Sequence, residues 1–274
     1  MLPADQNFRK QMNEEFGLLA NVLKEEAAKR SLYYLPNPGN WGDGVIRSAT
    51  IKFFRDINLE FEELTGSSIK KLTRNWTSRP LSMFKRRTVI YGGGGAWCRL
   101  WNHSINKIKP FSNRNFNIIV LPSTFELTCS IPNTVFFCRD LFESKHNMPD
   151  AVFCHDMVFY LDGHIHTRGK GLGRGYFFRT DNESAKILQI PDQNIDISQK
   201  GTHKSDMVPF TDQIDEFSVI YTDRLHVAII ECLLGKEVHL YPGSYFKNRA
   251  VYMSSMKSYF ENIYFHQDFD LLPR

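Results

Sequence analysis

The chain has 274 residues, of which 42% are hydrophobic, 14% aromatic and 23% charged, with a formal net charge of +4. That much apolar material can close a core, which excludes a disordered or low-complexity protein, and the length accommodates two α/β units of ordinary size. The mild positive charge suits an enzyme that handles anions but is too small and too spread out to point to nucleic acid. Five cysteines, at 98, 129, 138, 154 and 232, form no CxxC pair and sit mostly in apolar runs, which predicts buried free thiols in a reducing compartment. No run approaches the ~18 apolar residues of a membrane span, and MLPADQNFRKQ has no secretory h-region. The expected location is the cytosol, with visits to the inner face of the cell membrane where an acceptor sits there.

Residues 5–30 read as one amphipathic helix, with Asp5 as N-cap and Phe8, Met12, Phe16, Leu19 and Leu23 as its apolar stripe. That stripe suits its own lobe or a second subunit, so a homo-oligomer is compatible with the pattern. From Ser31 the texture changes to short β-rich runs followed by helical ones. SLYYLP leads through NPGNWGDG into VIRSATIKFFRDI; LEFEEL and RTVIY are further strands, the second running through GGGGAW into a helical CRLWNHSINKI. NFNIIVLPST and TVFFCRD complete a first set. The stretch 147–176 breaks the rhythm, and its Gly-, His- and base-rich second half reads as a linker or mobile loop. Beyond it follow YFFRTDNE, NIDIS, FSVIYTDRLHVAIIECLLG, KEVHLYPG and a last helical run, FKNRAVYMSSMKSYF. Such alternation predicts an α/β protein with mostly parallel sheets, in two Rossmann-like lobes facing a cleft. The implied boundaries are 1–30 for the helix, 31–160 for the first lobe, 161–175 for the connecting loop and 176–274 for the second lobe.

In open α/β sheets ligands sit beyond the carboxyl ends of the strands, so the loops after strands are the place to seek chemistry. NPGNWGDG offers Asn40 and Asp43 at the start of a helix, where Asp43 is a cap, a functional carboxylate, or both. GGGGAW, with Gly93 and Gly94 at its centre, reads as amides exposed at a helix N-terminus where an anion is favoured, although a purely structural turn is open. In DRLH, Arg224 and His226 fall in the first turn of an apolar helix, ~200° apart around its axis but able to converge on a ligand across its end. A buried arginine and histidine there call for an anion or for carboxylates such as Asp223 or Glu231. YPGSYFKNR places Ser244, Lys247 and Arg249 near the same ends, with a solvated helix face as the alternative for Lys247. Arg139 in FFCRD and Arg179 in FFRTD each follow two phenylalanines, so their planar forks, suited to carboxylate and phosphate, emerge at strand tips. His164 and His166 form an HxH without a third ligand, which does not read as a metal site; HExxH, GxSxG and Walker sequences are absent.

Taken in order, NPGNWGDG, YGGGGAW, VLPST, CRD followed by a serine, HDMVFYL, FFRTDNE and YTDRLHVAIIECLLGKEVHLYPGSYFKNRAVY resemble the polysaccharide pyruvyltransferases over about residues 31–260. The resemblance implies a GT-B-like fold and phosphoenolpyruvate as donor, with no cofactor and no metal. Its implied product is a pyruvate ketal on a sugar of a surface polysaccharide, the acceptor being a sugar, an oligosaccharide or a lipid-linked saccharide. It implies donor binding by Arg139, Arg224, Leu225 and His226, with Lys247 in the matching last-helix segment, Asp43 in an asparagine-glycine-aspartate loop and Asp156 in an aspartate-containing apolar segment. On this reading Arg224 and Arg139 clamp the donor's anionic groups, His226 is the general acid, and Asp43 or Asp156 takes the acceptor's proton. Two other readings share the pattern: a GT-B glycosyltransferase using a nucleotide sugar, and a non-catalytic anion-binding protein on the same scaffold.

Overall fold

The computed structural model describes residues 6–74, 87–101, 103–185 and 190–269. Asp5 and the side chain of Phe8 lie outside the described part. Helix α1 (Gln6–Lys29) leads into β1 (Ser31–Leu35), α2 (Trp41–Asp56), β2 (Glu62–Glu63), α3 (Gly66–Arg74), β3 (Arg87–Tyr91) and β4 (Gly94–Trp97). Then come α4 (His103–Ser112), β5 (Asn117–Phe125), β6 (Thr134–Cys138), α5 (Glu143–Asn147) and β7 (Val152–Phe153). After a 3-10 turn at Met157–Leu161 follow β8 (Arg174–Phe177), α6 (Val208–Ile214), β9 (Val219–Thr222), α7 (Leu225–Leu233), β10 (Glu237–Leu240), α8 (Lys247–Ser255) and β11 (Ile263–Phe265).

The strands build two parallel sheets. The first runs β2-β1-β3-β5-β6-β7, with β4 added on β5, and the second runs β11-β10-β9-β8. This is a mixed α/β fold of Rossmann-like type. The interior strands are apolar throughout, as a parallel sheet covered on both faces requires: in β5 every residue after Asn117 is buried. The register of β5 shifts between Val120 and Ser123, on either side of Pro122, which has no N–H to give to a ladder. One hydrophobic core spans both sheets, taking in Phe53 and Phe54 of α2 and Val227, Ile229 and Ile230 of α7. Met12, Phe16, Leu19 and Leu23 of α1 are buried in that core, with Phe16 edge-on to Tyr160 at 5.3 Å. The apolar stripe is therefore spent on the chain itself.

Several local expectations change. GGAW is a strand, β4, and the next helix begins only at His103, because the glycines are needed for close strand packing. A Cβ on Gly92 would stand 2.6 Å from the Asn37 nitrogen, one on Gly93 would stand 2.4 Å from the Pro122 carbonyl, and Gly94 has φ +119°. NIDIS ends in a 3-10 turn at Ile197–Lys200, not a strand. Within LEFEEL only Glu62–Glu63 pair. The last helix is followed by one more strand, β11, which extends the second sheet at its edge. Residues 162–173 are tied down at several points: Thr167 Oγ1 and Arg168 N donate to Asp215, and Lys236 Nζ to the Gly169 carbonyl at 2.8 Å. All five cysteines are free thiols, four of them buried. No helix among the described residues is long and apolar enough to cross a membrane.

The middle of α7 holds a carboxyl whose protonated form the fold favours. Glu231, in the middle of α7, is fully buried and neither of its oxygens has a hydrogen-bond partner. Burial pushes its pKa up to about 8, with Lys236 opposing. Folding therefore favours the protonated form, and stability is lost as pH rises from the unfolded-state value of ~4.3 through about 8. Glu231→Gln should match the wild type in thermal unfolding near pH 4. At pH 8.5 it should be more stable, by on the order of a few kcal/mol.

Candidate active site

The carboxyl ends of both sheets open on one cavity of about 250 Å3. From the first sheet, the loop after β1 brings Asn37, Pro38, Gly39, Asn40 and Asp43; β4 brings Gly95 and Ala96, and the end of β6 brings Arg139. From the second, the loop after β8 brings Arg179, Asp181 and Glu183, the end of β9 brings Arg224, Leu225 and His226, and the start of α8 brings Lys247. Trp101, His103, Ser198 and Gln199 complete the lining. Of the residues picked from sequence, Asn40, Asp43, Arg139, Arg179, Arg224, Leu225, His226 and Lys247 therefore share one wall-to-wall site.

Gly93, Gly94, Asp156 and Ser244 do not line it. Gly93 is pressed against the Pro122 carbonyl of β5 and Gly94 against Ile46 and Asp43 of α2, and a strand instead of a helix follows them, so no amide cradle at a helix N-terminus exists there; the neighbouring Gly95 is the glycine that faces the cavity. Ser244 is exposed and its amide donates to the Glu183 carbonyl at 3.0 Å. Arg249 also points away and pairs with Glu143. Asp156 lies directly behind the wall. His164 Nε2 stands 3.7 Å from Asp56, and no group of three potential metal ligands occurs among the described residues.

The loop after β1 is shaped by a reciprocal cap. Asn40 is the N-cap of α2 and accepts from the Gly42 amide at 2.9 Å, while Asp43 Oδ2 accepts from the Asn40 amide at 3.0 Å. Asn37 Nδ2 donates to Asp43 Oδ1 at 3.0 Å. Asp43 is thus cap and cavity carboxylate at once. Burial raises its pKa against the pull of His226, Asn37 and Lys247. Gly39 and Gly42 are required by contact: a Cβ at Gly39 would strike Asp43 Oδ2, and one at Gly42 would stand 2.8 Å from His226 Nδ1. The first turn of α2 therefore presses on the first turn of α7.

Arg139 is 1% exposed; its Nε donates to Thr124 Oγ1 at 2.8 Å and its Nη1 to Asp156 Oδ2 at 2.5 Å. His226 Nε2 stands 3.5 Å from the same Asp156 oxygen and has no hydrogen-bond partner. Burial alone would raise the Asp156 carboxyl, but His226, Arg139 and the Val158 amide hold it well below the ordinary carboxylate range. Asp156 is therefore an anchor that stays ionised and orients Arg139 and His226.

The other cations are held by carboxylates absent from the sequence-based selection. Arg224, the N-cap residue of α7, grips Asp196 through Nε at 3.0 Å and Nη2 at 2.5 Å, and its Nη1 lies 3.0 Å from Asp181. Its partners are thus not Asp223 or Glu231. Arg179 binds Asp181 in a fork, at 2.7 and 2.9 Å, and Glu183 through Nη1. Lys247 Nζ donates to Glu183 at 2.5 Å. Burial and the neighbouring Arg179 and Arg139 lower the Lys247 pKa, with Glu183 opposing. Burial would raise the Glu183 carboxyl, yet Lys247 and Arg179 bring it down to about 2. Burial likewise pushes Asp223, whose Oδ1 accepts from the Arg179 amide, up to about 7. The RTDNE string carries a visible signal for Asp181 and Glu183, since acidic residues just after a strand-end arginine are natural partners. Asp196, 28 residues from Arg224 in sequence, has none.

The sequence profile of the polysaccharide pyruvyl transferase family matches residues 40–242, from the N-cap of α2 to the loop after β10. The chain belongs to the polysaccharide pyruvyl transferase family. No curated protein matches it. Among solved structures, a functionally uncharacterized protein from Klebsiella pneumoniae subsp. pneumoniae is similar at 28% identity with a TM-score of 0.74, covering 94% of this chain and 100% of that one. The matched region of this family member contains every cavity-lining residue except Asn37, Pro38, Gly39 and Lys247.

The dependence of Arg139 on Asp156 can be measured. Asp156→Ala leaves a buried guanidinium unpaired and should cost ~3–5 kcal/mol of unfolding free energy in urea titrations. A loss within ~0.5 kcal/mol would mean that Arg139 finds solvent instead.

Proposed function

We propose that this family member transfers pyruvate from phosphoenolpyruvate to a sugar of a surface polysaccharide or its precursor, forming a ketal and releasing phosphate. The observation that carries this reading is the convergence of Arg139, Arg179, Arg224, Lys247, His226 and Asp43 on one cavity. A small donor with a phosphate and a carboxylate needs such a set, and ketal formation needs an acid and a base beside it. The donor's anionic groups would take over guanidinium and ammonium contacts that Asp181, Glu183 and Asp196 now hold. The same proposal includes a GT-B-like pairing of the lobes, a cytosolic location with access to the inner membrane face where an acceptor sits there, and a homo-oligomer.

The reaction balances as follows. His226 gives a proton to the methylene carbon of phosphoenolpyruvate while a sugar hydroxyl bonds to the second carbon and loses its proton to Asp43. The C–O bond to phosphate then breaks, the electron pair leaving with phosphate, and a second hydroxyl closes the ketal as its proton is released. Arg139, Arg224, Arg179 and Lys247 position the donor and offset the charge that grows on departing phosphate. Asp43 suits the base role better than Asp156. Its carboxyl lines the cavity with a raised pKa, whereas the Asp156 carboxylate is ion-paired behind the wall with a depressed one.

Thermal unfolding in metal-free buffer should show stabilisation by phosphoenolpyruvate that vanishes in Arg224→Ala, with no shift from UDP. Stabilisation by UDP alone would transfer the assignment to nucleotide-sugar chemistry. His226→Ala should lower turnover by ~10²–10⁴-fold while the phosphoenolpyruvate-induced shift in Tm persists; unchanged turnover would remove His226 from the acid role.

A further inference from the structure

The cavity lining is of two kinds. One part is charged and has been assigned to the donor. The other is neutral and includes Asn37, Asn40, Gln199, Trp101 and His103. We propose that Trp101 and His103 form the acceptor subsite, the indole face serving as the platform for a saccharide ring and the imidazole as a hydrogen-bond partner for its hydroxyls. This inference rests on the reading above for the identity of the acceptor, but its geometry is independent of the donor.

Trp101 stands out among the described tryptophans. Trp41 and Trp97 are 7% and 2% exposed and serve the core, whereas Trp101 is 38% exposed while lining the cavity. It precedes α4 and is not free to swing, because its Nε1 donates to Glu183 Oε1 at 2.6 Å. An indole fixed by its polar edge presents its apolar surface at little further cost in side-chain entropy, which is what a preorganised platform requires. Sugar rings have one face rich in C–H groups and a rim of hydroxyls, so they pair with a flat aromatic surface beside neutral hydrogen-bonding groups. His103 lines the same cavity, and its Nε2 is buried without a hydrogen-bond partner. An unpaired ring nitrogen is costly unless a ligand satisfies it. Burial and Lys107 lower the His103 pKa, with Asp43 opposing, which favours the neutral ring, and a neutral imidazole can accept from a hydroxyl or give to one.

Glu183 joins the two parts. Its Oε1 takes Trp101, and its Oε2 takes Arg179 and Lys247. The platform is thus braced by the residue that the donor must partly displace, which places acceptor and donor edge to edge.

The protein is titrated with methyl glycosides of glucose, galactose and mannose up to roughly 100 mM, a range that reaches weak binding. Affinity is read by ligand-observed NMR and intrinsic fluorescence, and the phosphoenolpyruvate-induced Tm shift is measured in parallel. For at least one glycoside, Trp101→Ala should weaken binding about tenfold or more and Trp101→Phe, which keeps a ring, by less than about threefold. Both variants should keep the phosphoenolpyruvate shift. His103→Ala should weaken the same glycoside. Unchanged affinity in Trp101→Ala, or no glycoside bound by the wild type, would overturn the proposal. So would equal losses in the Ala and Phe variants together with a lost phosphoenolpyruvate shift, since Trp101 would then be only a strut for Glu183. A wild type that binds glycoside but is not stabilised by phosphoenolpyruvate would fault the donor assignment and leave this subsite standing.

Discussion

The structure turns on a buried ion pair, Arg139 with Asp156, at the carboxyl end of the first sheet. Arg139 ends β6 and is bonded to Thr124 of β5, while Asp156 caps the 3-10 turn by accepting from the Val158 amide. The second sheet reaches the pair through His226 at the start of α7. Burying both charges is expensive, and a well-packed apolar pair would stabilise a fold at least as well. What the pair supplies instead is geometry: one guanidinium and one imidazole held at a cavity by a carboxylate that remains ionised. The 3-10 turn that begins there packs against both α2 and α7, so the same few residues position the site and join the sheets.

The electrostatics of the cavity follow from the same logic. Each cation that lines it has a carboxylate partner: Asp156 for Arg139, Asp181 and Glu183 for Arg179, Asp196 and Asp181 for Arg224, and Glu183 for Lys247. The internal carboxylates keep buried cations satisfied before any ligand arrives. An incoming dianion then competes with ion pairs, not with bulk water. Discrimination in such a site comes from shape and from how many partners can be exchanged together, because a single exchanged ion pair gains little.

Much of the site was legible from local sequence. Residues that end strands must lie near the carboxyl edge of a parallel sheet, so Arg139, Arg179, Arg224 and the NPGNWGDG loop were placed by strand position alone. The misplaced glycines show where local reading fails. A run of glycine between a strand and a helical pattern looks the same whether the amides face a ligand or the backbone passes a neighbouring strand at close range. The Pro122 carbonyl, ~30 residues downstream, decides between them. Ser244 failed for a similar reason, since the direction of a loop hydroxyl depends on what its backbone bonds to. Trp101 and His103 gave no signal, because nothing in CRLWNHS tells an exposed indole from a core one.

The sequence by itself determined the alternation of elements, the parallel character of the sheets, the family, and the set of basic residues at strand ends. These follow from periodicity, chain order and side-chain chemistry, which are local properties. Only the tertiary structure decided which carboxylates hold the arginines, that Asp156 anchors from behind the wall while Asp43 faces the cavity, and that both sheets share one core. Those outcomes rest on contacts between residues far apart in the chain, such as Asp196 with Arg224 and Trp101 with Glu183. Their selection depends on packing and on the low-dielectric requirement that every buried charge find a partner, and neither is set until the chain has closed on itself.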